Sequence, residues 1–125
     1  MSTQPLNEPA GDDLGALRQA LRHFAAEREW GAFHSPKNLA MALTVEAAEL
    51  LEHFQWLTEA QSRELPAERK AAVALEVADV LLYLVQLADQ LGIDLIAAAQ
   101  RKLALNAARY PVEKARGTAA KYDEL

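Results

Sequence analysis

Residues 71–88 read AAVALEVADVLLYLVQLA, an almost unbroken apolar run that contains two acidic residues, Glu76 and Asp79. A helix that is apolar nearly all round is buried, whereas a surface helix carries a single apolar stripe. The run therefore predicts a central helix of an all-helical protein. Carboxylates in the middle of a membrane span are costly, so a buried helix of a soluble protein is the better interpretation than a transmembrane segment.

A second apolar run carries acids at the same spacing. Residues 38–51 read NLAMALTVEAAELL, with Glu46 and Glu49 three positions apart. On a helix, positions i and i+3 lie about 60° apart, so each acidic pair projects from one face. Most of their neighbours one turn away are apolar, and no lysine or arginine is among them. Since an unpaired buried carboxylate costs several kcal/mol, the two pairs together call for a cation.

Oxygen ligands of this kind suit Mg²⁺ or Mn²⁺, which are hard cations that organise phosphate chemistry. The pattern thus favours a magnesium-dependent enzyme that acts on a phosphorylated substrate. The competing interpretation is a set of solvated acids on amphipathic helices, which the lack of basic neighbours weakens. Glu52, one turn after Glu49, is either a further ligand or an ordinary solvated acid.

Composition limits the class of protein. With 125 residues, of which 51% are hydrophobic, the chain predicts one globular domain. Its net charge of −5 disfavours binding to duplex nucleic acid. Cysteine is absent, which excludes disulfides and thiolate metal sites. No signal peptide is visible, and we expect a cytoplasmic protein that does not act at a membrane.

Helix-start and helix-stop residues divide the chain. Ser35 before Pro36 starts one helix, Gly92 ends the central one, and Pro111 stops the last. The predicted order is a flexible leader over residues 1–11, a helical domain over 12–111 and a tail over 112–125. Within the domain we expect helices from Asp12 or Asp13 to Trp30, from Pro36 to Trp56, from Ala67 to Leu91 and from Asp94 to Tyr110, with a polar connection over 57–66 that holds at most a short helical turn.

Four helices in one small chain predict an all-α, four-helix bundle. Because the second and third helices are apolar nearly all round, a single chain has too little protein to cover both. We therefore expect one face to pack within the subunit and another against a second copy, which gives a dimer or a dimer of dimers.

Aromatic and polar residues near helix ends form a second group. Trp30 and Trp56 could stack on a base, although packing in a core or interface is the commoner role of tryptophan. Lys102, Asn106 and Tyr110 follow each other at four-residue spacing on one side of the last helix, where they could meet phosphate or sugar. For His34 and Lys102 taken alone, a loop histidine and a solvated cation are the ordinary interpretations.

Taken together, these segments resemble the MazG-like, all-alpha nucleoside triphosphate pyrophosphatases, and within them the dCTP pyrophosphatase branch. The resemblance spans roughly residues 14–112. The segments that carry it are FAAEREWGAFHSPKNL over residues 24–39, Glu46-x-x-Glu49, Phe54-Gln-Trp56, Glu76-x-x-Asp79 with Tyr83, and Lys102-x-x-x-Asn106-x-x-x-Tyr110-Pro.

The resemblance implies metal-dependent hydrolysis of the bond between the α and β phosphates, giving a nucleoside monophosphate and pyrophosphate, with dCTP or a 5-substituted relative as the best substrate. It also implies a tetrameric helical bundle with sites near subunit contacts. Glu46, Glu49, Glu76 and Asp79 would then hold Mg²⁺, and one of them would orient or deprotonate water. By the same resemblance, Trp30, His34 and Trp56 would surround the base, and Asn38, Tyr83, Lys102, Asn106 and Tyr110 would contact sugar or phosphates.

Two other functions are open. A di-iron carboxylate bundle also uses inward-facing acids, but it expects Glu-x-x-His on two helices. Glu49 is followed three positions later by Glu52, and Glu76 by Asp79, so this pattern is absent. A non-catalytic helical oligomerisation module, whose acids bind a structural ion or a basic helix, predicts no turnover of nucleotides.

Overall fold

The computed structural model describes residues 13–125, so the predicted leader over residues 1–11 lies outside the described residues. Within that range the chain forms helices and connecting segments without any β-strand, which confirms the all-α prediction. Two single turns of 3₁₀-helix also occur, at Gly31–Phe33 and Tyr122–Glu124. The α-helices are α1 (Asp13–Glu27), α2 (Pro36–Glu52), α3 (Glu59–Arg63), α4 (Ala67–Leu91), α5 (Leu95–Arg109) and α6 (Val112–Ala115).

Helix starts follow the predicted capping chemistry. The Ser35 hydroxyl accepts a hydrogen bond from the Asn38 backbone N–H at 3.2 Å, and Asp94 does the same for Ala97 at 3.1 Å. Gly92 takes the left-handed conformation expected after α4, with φ of +66°. These local signals explain why α2 and α5 begin, and α4 ends, where the sequence indicates.

Two helix ends differ from the predictions, and the polar connection holds a short helical turn as predicted. We expected α1 to reach Trp30, but it ends at Glu27 because Glu29 adopts a left-handed conformation with φ of 54°. We expected α2 to reach Trp56, but it ends at Glu52 and is followed by turns. In the polar connection, Thr58 and Gln61 form a reciprocal capping box that starts the short helix α3.

Residues 13–91 form a compact unit in which α4 packs along α2 and also contacts α1. Leu39, Val85 and Ala88 are its buried apolar side chains. Arg22 of α1 and Asp89 of α4 join the two helices through a two-pronged ion pair, with Arg22 Nε donating to Asp89 Oδ2 at 2.8 Å. This guanidinium holds the pKa of Asp89 below its usual value. The pair fixes α1 beside the part of α4 that follows the acidic residues.

Residues 92–125 form a second compact unit that contains α5, α6 and the last 3₁₀ turn. The Tyr122 ring packs edge-on against Tyr110, with 6.2 Å between ring centroids. The Arg109 guanidinium lies 4.9 Å from the centroid of the same ring. The segment that the sequence predicts to be a tail, 112–125, is therefore folded onto the end of α5 within this unit.

Helix α4 exposes apolar side chains on the face opposite its acids. It is long and apolar enough to cross a membrane by length and composition alone. The same helix packs against α1 and α2 and carries three acids, Glu76, Asp79 and Asp89, the last of them paired with Arg22. Val77, Leu81 and Leu84, which follow each other at helical spacing, are nevertheless 50%, 40% and 37% exposed. We call these three residues the α4 apolar stripe.

Candidate active site

Three carboxylates converge where α2 lies beside α4. Glu46 and Glu49 project from α2 and Glu76 from α4, and one oxygen of each lies within 4.8 Å of the others. All three side chains are partly buried. Like charges at this separation repel one another, so the arrangement is unfavourable unless a proton or a cation compensates it.

The electrostatics of the cluster fit a bound cation. Burial, and the neighbouring carboxyl groups of Glu49, Glu76 and Asp79, raise the pKa of Glu46 to about 7. Oxygen Oε2 of Glu46 and Oε2 of Glu76 are shielded from solvent and have no hydrogen-bond partner among the described residues. Because a buried acceptor without a partner is costly, a hard divalent ion with oxygen ligands would satisfy both atoms.

The raised pKa of Glu46 predicts how the stability of the metal-free protein varies with pH. The ordinary pKa of this carboxyl group is 4.5. Between pH 4.5 and about pH 7, the folded chain therefore holds a proton that the unfolded chain lacks. Stability in chelator should therefore fall as the pH rises through this window. We expect Glu46→Gln, which has no charge to neutralise, to remove that part of the pH dependence. Thermal unfolding in chelator at about pH 5.5 and about pH 7.5 measures it.

Glu52→Gln is the matched control, because Glu52 is an exposed acid on the same helix. It should keep the pH dependence of the wild-type protein. If Glu46→Gln and wild-type protein lost the same stability over this window, the electrostatic description of the cluster would be wrong.

A cavity of about 350 Å³ opens beside the acids. Asp79 and Glu46 both line it, so the fourth predicted acid faces the same space as the cluster. Along α4, Asp79, Tyr83 and Gln86 follow each other at the spacing of one helix face, and all three line the cavity. The remaining wall is formed by Leu21, Phe24, Trp30, His34 and Leu82.

The turn after α1 positions the aromatic part of this wall. The Trp30 backbone N–H bonds the Ala25 carbonyl at 3.0 Å, which folds the chain back over the end of α1. The Trp30 ring then lies edge-on to Phe24, at 5.7 Å between centroids, and to His34, at 6.0 Å. The cavity thus has an acidic part and an aromatic part, which suits an elongated ligand with a charged end and a flat end.

Other predicted residues lie elsewhere. The Asn38 amide donates to the Phe33 carbonyl at 3.1 Å, which ties the 3₁₀ turn to the start of α2. Trp56 is 86% exposed and lies outside the cavity lining. Glu52 is exposed and is not part of the three-carboxylate cluster. Lys102 and Asn106 lie on α5 in the second unit, where Tyr110 caps the end of that helix.

Sequence reasoning missed four lining residues: Leu21, Phe24, Leu82 and Gln86. Gln86 could have been found, because it stands seven residues after Asp79 and helical periodicity returns position i+7 to the same face. Leu21 and Phe24 could not be distinguished from ordinary core residues of α1. Their place in the wall depends on how α1 packs against α4.

Known proteins share this sequence and fold. Residues 41–125 match the MazG-like family. The dCTP pyrophosphatase 1 of Mus musculus is 44% identical over 120 residues, which are 94% of this chain and 69% of that protein. The dCTP pyrophosphatase 1 of Bos taurus is 41% identical over 127 residues, which are 99% of this chain and 75% of that protein. A crystal structure of a pyrophosphatase from Archaeoglobus fulgidus gives a TM-score of 0.75 at 42% identity, covering 78% of this chain and 92% of that one.

The all-helical fold and these relatives define the class of protein, a hydrolase of the nucleotide diphosphatase type. Within that class, the chain belongs to the MazG-like family.

Proposed function

We propose that the chain is a Mg²⁺-dependent nucleoside triphosphate pyrophosphohydrolase that cleaves the bond between the α and β phosphates. Its products are a nucleoside monophosphate and pyrophosphate, its substrate is dCTP or a modified dCTP, and its role is control of the nucleotide pool. The observation that carries the proposal is that Glu46 and Asp79 line the same cavity as the aromatic wall at Trp30 and His34. The dCTP pyrophosphatases among its relatives support the choice of substrate.

In this proposal, Glu46, Glu49, Glu76 and Asp79 hold Mg²⁺, with Mn²⁺ as a substitute. The ion, when bound, lowers the pKa of water and neutralises charge on the phosphate oxygens. One of the four carboxylates accepts the proton of the attacking water, which adds to the α phosphorus as pyrophosphate leaves. No covalent nucleophile from the protein is needed.

The flat end of the substrate occupies the aromatic part of the cavity. Trp30 and Phe24 offer apolar ring surface there, and His34 offers a polar edge. Tyr83 lines the cavity one turn after Asp79, and its hydroxyl is proposed to contact the sugar. Asn38, Lys102, Asn106 and Tyr110 are proposed contacts to sugar or phosphates, and Trp56 a second stacking residue.

The functional unit is proposed to be a tetramer, formed as a dimer of dimers of four-helix bundles. The exposed α4 apolar stripe supports this, because a stable monomer would not leave such a face on its central helix open to water. The MazG-like domain spans 12–111 and is followed by the segment 112–125. We place the protein in the cytoplasm.

A panel of canonical and modified nucleoside triphosphates, assayed for pyrophosphate release with Mg²⁺ and with chelator, tests this function. We expect release only with metal, and the fastest release from dCTP or a 5-substituted relative. Stoichiometric binding of ferrous iron without cleavage of any nucleotide would favour a di-iron protein instead. Neither turnover nor stabilisation by nucleotides would favour a non-catalytic oligomerisation module.

A further inference from the structure

Gln86 is a polar side chain in the wall of the aromatic part of the cavity. It is partly buried and lines both this cavity and a smaller neighbouring cavity of about 40 Å³. Apolar and aromatic side chains line the same cavity. They include Leu82 on α4 and Trp30 in the turn after α1. A polar group in such a wall fixes how a ligand is oriented.

One hydrogen bond sets the orientation of this amide. Gln86 Nε2 donates to the Leu82 carbonyl, one turn earlier in α4, at 3.1 Å. A carbonyl oxygen can only accept, so the amide nitrogen must face Leu82 and the amide oxygen must face away. Among the described residues, nothing donates a hydrogen bond to Oε1 of Gln86. This oxygen is therefore an oriented acceptor that is available to a ligand.

The position of Gln86 relative to the acids decides which part of the ligand it meets. It follows Asp79 by seven residues on the same face of α4, which is about 10 Å along the helix axis. A substrate whose phosphates lie at Asp79 and Glu46 would bring its base, and not its sugar, to this distance. His34 lines the same two cavities as Gln86, so the two residues flank this end of the site.

We propose that Gln86 determines base specificity by accepting a hydrogen bond from the exocyclic amino group of the base. This inference rests on the proposed function and adds the residue that reads the base. An oxo group at the same position would place its oxygen, an acceptor, against the Gln86 oxygen, also an acceptor. The amide cannot turn its nitrogen toward the base without losing the hydrogen bond to the Leu82 carbonyl. Sites built to pair with one polar group reject the analogue that lacks it. The cavity therefore selects an amino-bearing pyrimidine, cytosine, over uracil.

The test compares kcat/KM for three deoxynucleoside triphosphates that differ at position 4 of the pyrimidine. They are dCTP with an amino group, dUTP with an oxo group, and the pyrimidin-2-one analogue with hydrogen. We expect wild-type protein to prefer dCTP over both others by about tenfold or more, the size of one hydrogen bond. Gln86→Met, similar in length but without the amide oxygen, should lose this preference through a lower value for dCTP and a higher value for dUTP, with the pyrimidin-2-one analogue little changed.

Gln90→Met is the matched control, because Gln90 is exposed one turn further along α4 and does not line the active-site cavity. It should behave as wild-type protein. An unchanged preference in Gln86→Met, or an equal loss on all three substrates, would overturn the role of Gln86. If that variant failed to fold, equal wild-type rates on dCTP and the pyrimidin-2-one analogue would overturn it as well. Absence of turnover by wild-type protein on any triphosphate would instead overturn the proposed function.

Discussion

Glu76→Gln is expected to lower Mg²⁺-dependent pyrophosphate release by at least about 100-fold, because a bound metal contributes several kcal/mol to the barrier reduction. The substitution preserves shape and removes one of the three negative charges that converge at α2 and α4. In chelator, the same change should raise the melting temperature, since it relieves repulsion within the cluster. The measurements are steady-state pyrophosphate release and thermal unfolding, each with and without Mg²⁺.

The combination of lost activity and gained metal-free stability distinguishes a metal ligand from a residue that merely supports the fold. Wild-type protein should gain stability on addition of Mg²⁺, and Glu76→Gln should gain much less. Glu52→Gln, at an exposed acid of α2 outside the cluster, should match wild-type protein in both assays. Turnover near the wild-type rate in Glu76→Gln would remove the basis for the metal site.

Leu81→Glu is expected to break up the tetramer. Leu81 is the middle residue of the α4 apolar stripe and is 40% exposed in the single chain. A carboxylate there would have to be buried without a partner if a second copy covered the stripe, at a cost of several kcal/mol. Light scattering coupled to gel filtration measures the result. Wild-type protein should have about four times the 13.7 kDa mass of one chain, and the variant the mass of two chains or fewer, since a dimer of dimers is held by more than one face.

Gln90→Glu adds the same charge at an exposed polar position of α4 and should leave the assembly unchanged. Circular dichroism should show that the Leu81→Glu chain retains its helical content, because this side chain already contacts solvent in the single chain. A wild-type protein that is monomeric at micromolar concentration would contradict the proposed assembly. An undiminished oligomer in Leu81→Glu would show that the subunits meet through another face.

The sequence predicts α2 and α4 well because two kinds of signal agree there. The apolar runs set their interiors, Ser35 and Pro36 set the start of α2, and Gly92 sets the end of α4. It misplaces the ends of α1 and α2, where Trp30 and Trp56 continue the apolar pattern after the backbone has left the helix. The left-handed turn at Glu29 has no sequence signal of its own, since a glutamate seldom adopts that conformation.

The carboxylate cluster could be predicted because helix periodicity alone places Glu46 with Glu49 and Glu76 with Asp79. That the two pairs face each other follows from the packing of α2 on α4. The wall of the cavity could not be predicted in the same way. Which residues of α1 reach it depends on the crossing of α1 over α4, and that geometry results from many side-chain contacts together.

The most direct test of the central claim is the identity of the products formed from dCTP in the presence of Mg²⁺. Separation of the reaction mixture by anion-exchange chromatography distinguishes attack at the α phosphorus from attack at the γ phosphorus. The proposed reaction predicts dCMP and pyrophosphate in equal amounts, and neither product in chelator or with Glu76→Gln. Formation of dCDP and inorganic phosphate, or equal turnover in chelator, would contradict it.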